Sequence, residues 1–194
     1  MKTKYTLLLF ALVAIAQAFV PLKMIYDSEK IQHEGTVYKF RTQPIDPTDP
    51  FRGKYITLKF DAEELPTNDT TWVSREQVFV YIENDSAGFA KVRQLSREEI
   101  ANGGDYFMAE INYYYDYDKT VRINFPFNRY YMEEGKAAEA EITYNRHSRK
   151  GNTKTAYAIV AINEGYTAIT DVIVDGMPIR EYVLKEREEN KKAL

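Results

Sequence analysis

The residues best placed by type and spacing to do chemistry lie in one stretch, Pro44-Ile45-Asp46-Pro47-Thr48-Asp49-Pro50-Phe51-Arg52-Gly53-Lys54-Tyr55. Pro44, Pro47 and Pro50 each fix φ and remove an amide donor, so the segment reads as a stiff, extended loop that turns at Gly53 into a strand. Two roles fit its polar groups. Asp46 and Asp49 can cap turn amides or pair with the Arg52 fork, which would fix the loop. Alternatively, Arg52 offers its planar donors to an anionic ligand while the two aspartates orient it. Prolines and aspartates commonly serve turns, so the structural role is favoured and Arg52 is expected to organise the fold. A carboxylate pair such as Asp49 with Glu134 would suit general acid/base work if the two converged, but nothing in their spacing brings them together.

Other catalytic and metal templates come out empty. His33 and His147 stand far apart and form no spaced ligand pair, and there is no cysteine to supply a thiolate, a disulfide or a lipidated N-terminus. The serines at 28, 74, 86, 96 and 148 fall in no Gly-x-Ser-x-Gly elbow and no Ser-x-x-Lys pair. Gly103-Gly104 stands alone and reads as a turn, not a phosphate cradle. Asp116 and Asp118 lack the glycine-bounded loop of a calcium site. No metal and no cofactor is expected, and the balance lies against an enzyme. The 16 tyrosines concentrate in Tyr113-Tyr114-Tyr115-Asp116-Tyr117-Asp118 and in Tyr130-Tyr131. On alternating strands half of those rings face outward, giving an aromatic and acidic surface suited to sugar, peptide or protein; the plainer reading is that tyrosine simply fits half-exposed sheet faces, and it is preferred.

The elements that must position these residues follow from pattern. Lys2 and Lys4 precede an uncharged, apolar run from Tyr5 to Leu22, long enough to cross a hydrocarbon core about 30 Å thick, with the basic end held inside. Ala16-Gln17-Ala18 also has the form of a signal-peptidase site, but the apolar run continues through Phe19-Val20-Pro21-Leu22, so an uncleaved anchor over residues 1–26 is favoured over secretion after cleavage. Beyond Asp27 short alternating stretches take over. Strands are predicted at Thr36–Thr42, Tyr55–Phe60, Gln77–Glu83, Phe89–Leu95, Tyr106–Tyr113, Thr120–Phe125, Thr155–Ile162 and Tyr166–Val174, joined by hairpin turns. A short helix is expected at Glu133–Ile142, and a charged tail over residues 181–194 that extends as a solvated helix or frays. The fold class is therefore mainly β, an antiparallel sandwich or barrel-like domain over residues 29–180. With 44% hydrophobic residues it has enough apolar surface to build a core, and a net charge of −3 in mixed signs gives no electrostatic footprint for nucleic acid.

Three segments resemble the GDYXXLXY protein family. The first is Asp46-Pro47-Thr48-Asp49 with Phe51-Arg52-Gly53, Tyr55 and Leu58, departing from the family at Lys54, usually Asp, and at Phe60, usually Tyr. The acid-to-base change at Lys54 argues against a metal or catalytic role there. The second is Asn128-Arg129-Tyr130-Tyr131-Met132-Glu133-Glu134-Gly135-Lys136, and the third Val174-Asp175-Gly176-Met177-Pro178. The resemblance implies a bacterial membrane-anchored protein and no particular reaction. The motif positions Asp46, Asp49, Arg52, Gly53, Tyr55 and Glu134 are the candidate binding residues. The function expected is an extracytoplasmic binding or assembly module held by residues 5–22 beside a membrane or envelope protein partner; an envelope hydrolase using Asp49, Arg52 and Glu134 is the alternative.

Overall fold

A computed structural model describes residues 2–43, 55–133, 139–140, 143–144 and 156–192. The chain opens with α1, Lys2–Glu34, whose 33 residues reach about 50 Å. Its apolar side chains, Leu7 to Leu9, Phe10, Ile15, Phe19 and Leu22 among them, are exposed, and by length and composition the helix can cross a membrane. It does not stop where the apolar run ends. Lys23–Asp27 and Lys30–Glu34 pair one turn apart on the continuation, carrying the helix to Glu34. Gly35 then makes the junction: its amide donates to the Ile31 carbonyl at 3.0 Å, and a Cβ there would lie 2.5 Å from that oxygen and 3.0 Å from the Ile162 carbonyl oxygen. Thr36 already belongs to the first strand.

The strands are β1 Thr36–Gln43, β2 Tyr55–Thr57, β3 Lys59–Phe60, β4 Glu64–Pro66, β5 Gln77–Asn84, β6 Ala90–Ser96, β7 Tyr106–Tyr115, β8 Thr120–Asn124, β9 Arg129–Tyr131, β10 Ala156–Asn163, β11 Tyr166–Val174 and β12 Met177–Pro178. A 3-10 turn, Asp61–Glu63, links β3 to β4, and α2 spans Ile179–Lys192. One antiparallel sheet runs β12-β11-β10-β1-β3, a second β4-β8-β7-β5-β6, and β2 with β9 forms a ribbon. The chain passes from the edge of the first sheet to the edge of the second through the 3-10 turn. At the other side Phe107 of β7 bridges Gly165 in the β10–β11 turn, so the two sheets wrap around one core. Phe40, Phe60, Phe107, Phe125 and Phe127 meet at its centre, with ring centroids 4.9 to 6.3 Å apart and mostly edge-on, the arrangement that ring quadrupoles favour.

The mainly β, antiparallel architecture behind an N-terminal apolar helix is the one the sequence implies. Three details differ. The predicted strand Tyr55–Phe60 is two strands in two sheets, broken at Leu58, whose amide donates to the Asn128 carbonyl at 2.9 Å. β4, β9 and β12 have three residues or fewer and carry no readable period. Of the helix expected at Glu133–Ile142, Glu133 is not helical; among the other described residues of this region, 139–140 and 143–144 are helical, with Ala140 and Tyr144 fully buried. The short helix that is fully described is α2, which inserts Ile179 and Val183 into the core.

Candidate functional site

The β2–β9 ribbon brings two of the motif segments together. Tyr55 pairs with Tyr131, Ile56 with Tyr130 and Thr57 with Arg129. The Tyr55 and Tyr131 rings lie 5.5 Å apart, and the Arg129 guanidinium sits 5.1 Å from the Tyr55 centroid, a cation over a ring face. Alternation turns Tyr130 inward, where it is 4% exposed and donates to Asp171 Oδ1 at 3.0 Å. Burial, reinforced by the Asp171 carboxylate, pushes the Tyr130 hydroxyl up to about 12. Arg180 of α2 lies 5.3 Å from its ring. The third motif segment closes the β11–β12 hairpin with Asp175 and Gly176 both at positive φ, the conformation a tight Asp-Gly turn demands. The ribbon is thus tied by Tyr130 to the strand and helix flanking that turn. Of the candidate residues, Tyr55 is placed here; Asp46, Asp49, Arg52, Gly53 and Glu134 lie outside the described residues, as do the hydrolase constellation and His147.

The tyrosine cluster splits by alternation. Tyr114 packs against the core, whereas Tyr113, Tyr115 and Tyr117 form a line of rings at successive centroid distances of 4.9 and 6.0 Å, with Tyr117 85% exposed. Asp116 is taken by Lys119 at 2.5 Å, and Asp118 accepts the Thr120 amide at 3.2 Å. Among the described residues no three carboxylates or histidines converge as a metal would need.

A further constellation was missed in the sequence. The second sheet curls until its edge strands, β4 and β6, flank a groove of about 600 Å³ lined by Leu65, Trp72, Gln94, Leu95 and Arg97 among others. Arg97 holds its wall: Nε donates to Glu76 Oε1 at 2.6 Å, Nη1 to Asp69 Oδ2 at 2.9 Å and Nη2 to Thr71 Oγ1 at 3.0 Å, while the guanidinium stacks 4.1 Å from the Trp72 ring. Thr71 and Arg97 donors hold the Asp69 carboxyl at about 2, and Arg97 with the Val73 amide lowers Glu76. The readable signal was the chain's single tryptophan, sitting in a polar loop and not in an apolar run.

A β domain of two curled antiparallel sheets, carried on a long apolar helix and open along one strand-edge groove, is the class this geometry defines. A family model for the GDYXXLXY protein matches residues 17–172, and the chain belongs to that family. No curated protein and no solved structure matches it.

Proposed function

We propose that the chain is a membrane-anchored, extracytoplasmic binding or assembly module whose groove between β4 and β6 takes an extended segment of an envelope protein. The observation that carries this reading is the pair of facing edges: among the described residues β4 pairs only with β8 and β6 only with β5, so a strand edge without a strand partner lines each side of one groove. The seven-residue β6 is the longer edge, and the three-residue β4, whose Pro66 has no amide donor, is the shorter. Unpaired edges are templates for an added strand, which gains main-chain hydrogen bonds on entry while flanking side chains select its sequence. Leu65, Leu95 and Trp72 supply apolar contact, and the Arg97 network holds Trp72 in place before binding, which limits the ordering cost.

The test is site-specific photocrosslinking in intact cells. A photoreactive residue at Gln94, inside the groove, should capture one reproducible protein, whereas the same residue at Glu188 on α2 should not. Trp72→Ala should remove the adduct while the circular dichroism spectrum is retained. Equal capture from both positions, or only varying neighbours, would refute the proposal.

A further inference from the structure

The turn between β10 and β11 comes close to the point where α1 leaves its apolar run. Asn163, Glu164 and Tyr166 share a cavity of about 160 Å³ with Lys23, Asp27 and Ile31 of the helix. Lys23 is the first charged residue after Leu22. In a spanning helix that position marks the outer headgroup boundary, so a side chain lining the same cavity stands at headgroup depth. Tyr166 is 71% exposed there, an aromatic body with a polar tip presented to whatever surrounds the helix, and Met24, Ile25 and Tyr26 are exposed at the neighbouring level.

We propose that the β10–β11 turn is a second membrane contact, with Tyr166 lodged in the headgroup layer of the lipid surface; the proposal rests on α1 being the anchor. Tyrosine favours this depth because its ring leaves water while its hydroxyl stays solvated. Two features of the fold hold the turn in place. Gly35 joins α1 to β1 without a linker and against backbone atoms on both sides, which opposes swinging of the domain. Gly165, at a φ of +85 and with a Cβ position only 2.9 Å from the Tyr106 ring, sets the turn that carries Tyr166. The local charges are Lys23 and Lys30 against Asp27, Glu34 and Glu164, so acids outnumber bases and the contact does not depend on anionic lipid.

The experiment uses the full chain in phosphatidylcholine vesicles. Because the sequence has no cysteine, Glu164→Cys and, as a remote control, Asp118→Cys each give one labelling site for an environment-sensitive fluorophore. A nitroxide on the lipid headgroup should quench the Glu164→Cys probe at least threefold more than the Asp118→Cys probe, and adding Tyr166→Ser should cut that quenching at least twofold. If the protein floats with the vesicles yet both probes quench alike, the second contact is refuted and the anchor stands. If quenching is unchanged by Tyr166→Ser, the helix alone sets the depth and the role of Tyr166 is refuted. If the protein does not float, the anchor reading itself fails.

Discussion

Glu63 offers a quantitative check on the core. It ends the 3-10 turn between β3 and β4, is 9% exposed, and burial pushes its carboxyl up to about 7 from 4.5. Lys59, a backbone hydrogen bond at Phe60 and Arg122 pull the other way without overcoming burial. The folded state therefore keeps its proton to about pH 7, while the unfolded chain releases it near 4.5. The stability linked to this proton is fully present below 4.5 and is lost as pH rises through 7. The interval corresponds to about 3 kcal/mol at 1.36 kcal/mol for each pH unit. Glu63→Gln keeps the site neutral at every pH. It should match the parent within about 0.5 kcal/mol at pH 4 and exceed it by about 2 to 3 kcal/mol at pH 8.5. For a chain of this size that is a gain of roughly 4 to 12 °C in Tm. Urea midpoints of the purified chain in detergent micelles, measured for both proteins across the range, give the difference directly. Acids held low by their partners, such as Asp69, Glu76 and Asp85, weaken both proteins equally on acidification and cancel in that difference. A difference that does not grow between pH 4 and 8.5, or a Glu63→Gln less stable than the parent at pH 8.5, would refute the argument.

Three further outcomes follow from the same packing and topology. Phe40 is fully buried and touches four other phenyl rings, so Phe40→Ala should cost about 3 to 5 kcal/mol by urea denaturation while Phe40→Leu, closer in volume, costs under about 1.5. Gly35→Ala forces a methyl against the Ile31 and Ile162 backbone and should destabilise the protein by about 1 to 3 kcal/mol in the same assay, whereas Gly88→Ala, with nothing near its Cβ and only its positive φ to strain, should cost about 1. Protease added to intact spheroplasts should digest the β domain, because Lys2 and Lys4 favour an inside N-terminus; protection equal to that of a cytoplasmic control would reverse the orientation.

What the sequence could disclose depended on whether a feature was periodic or required the fold. β10 and β11 are apolar, β-branched runs separated by the turn residues Asn163, Glu164 and Gly165, and they carry Ala158, Val160, Val172 and Val174 into the core, so their existence and approximate ends were readable although the burial does not alternate cleanly. The break at Leu58 was not, because Ile56, Leu58 and Phe60 all point into the core and the alternation runs straight through a change of sheet. The predicted strand Thr120–Phe125 includes Phe125, but β8 ends at Asn124; Phe125 and Phe127 both lie between β8 and β9, Phe127 beyond any strand pattern, and they supply two of the five central rings. The groove is the clearest case. Arg97 meets partners 28 and 21 residues away, and only strand pairing brings β6 round to the loop that holds Trp72. The motif ribbon was half legible: one segment stood out by its prolines and aspartates and the other by its family resemblance, but that they pair with each other is a fact of topology.

Strand register also relates the groove to the helix. Phe107, at the start of β7, bridges Gly165 in the turn that lies against Lys23, Asp27 and Ile31 of α1, and β7 then runs about 25 Å to Tyr115. Thr67, at the groove, donates its amide to the Lys119 carbonyl in the turn that follows β7. The Thr67 end of the groove and the line of Tyr113, Tyr115 and Tyr117 therefore lie at the far end of β7 from the helix. β6, by contrast, sets Gln94 and Ser96 opposite Tyr81 and Phe79, level with Tyr106 and Met108 near Gly165, so the groove runs along the domain. If α1 is the anchor and the β10–β11 turn rests on lipid, as proposed, the Thr67 end points away from the membrane. A rigid junction at Gly35 would then hold the groove at a set angle towards the proposed partner, where a flexible linker would let it sample all orientations, and so lower the rotational entropy lost on binding.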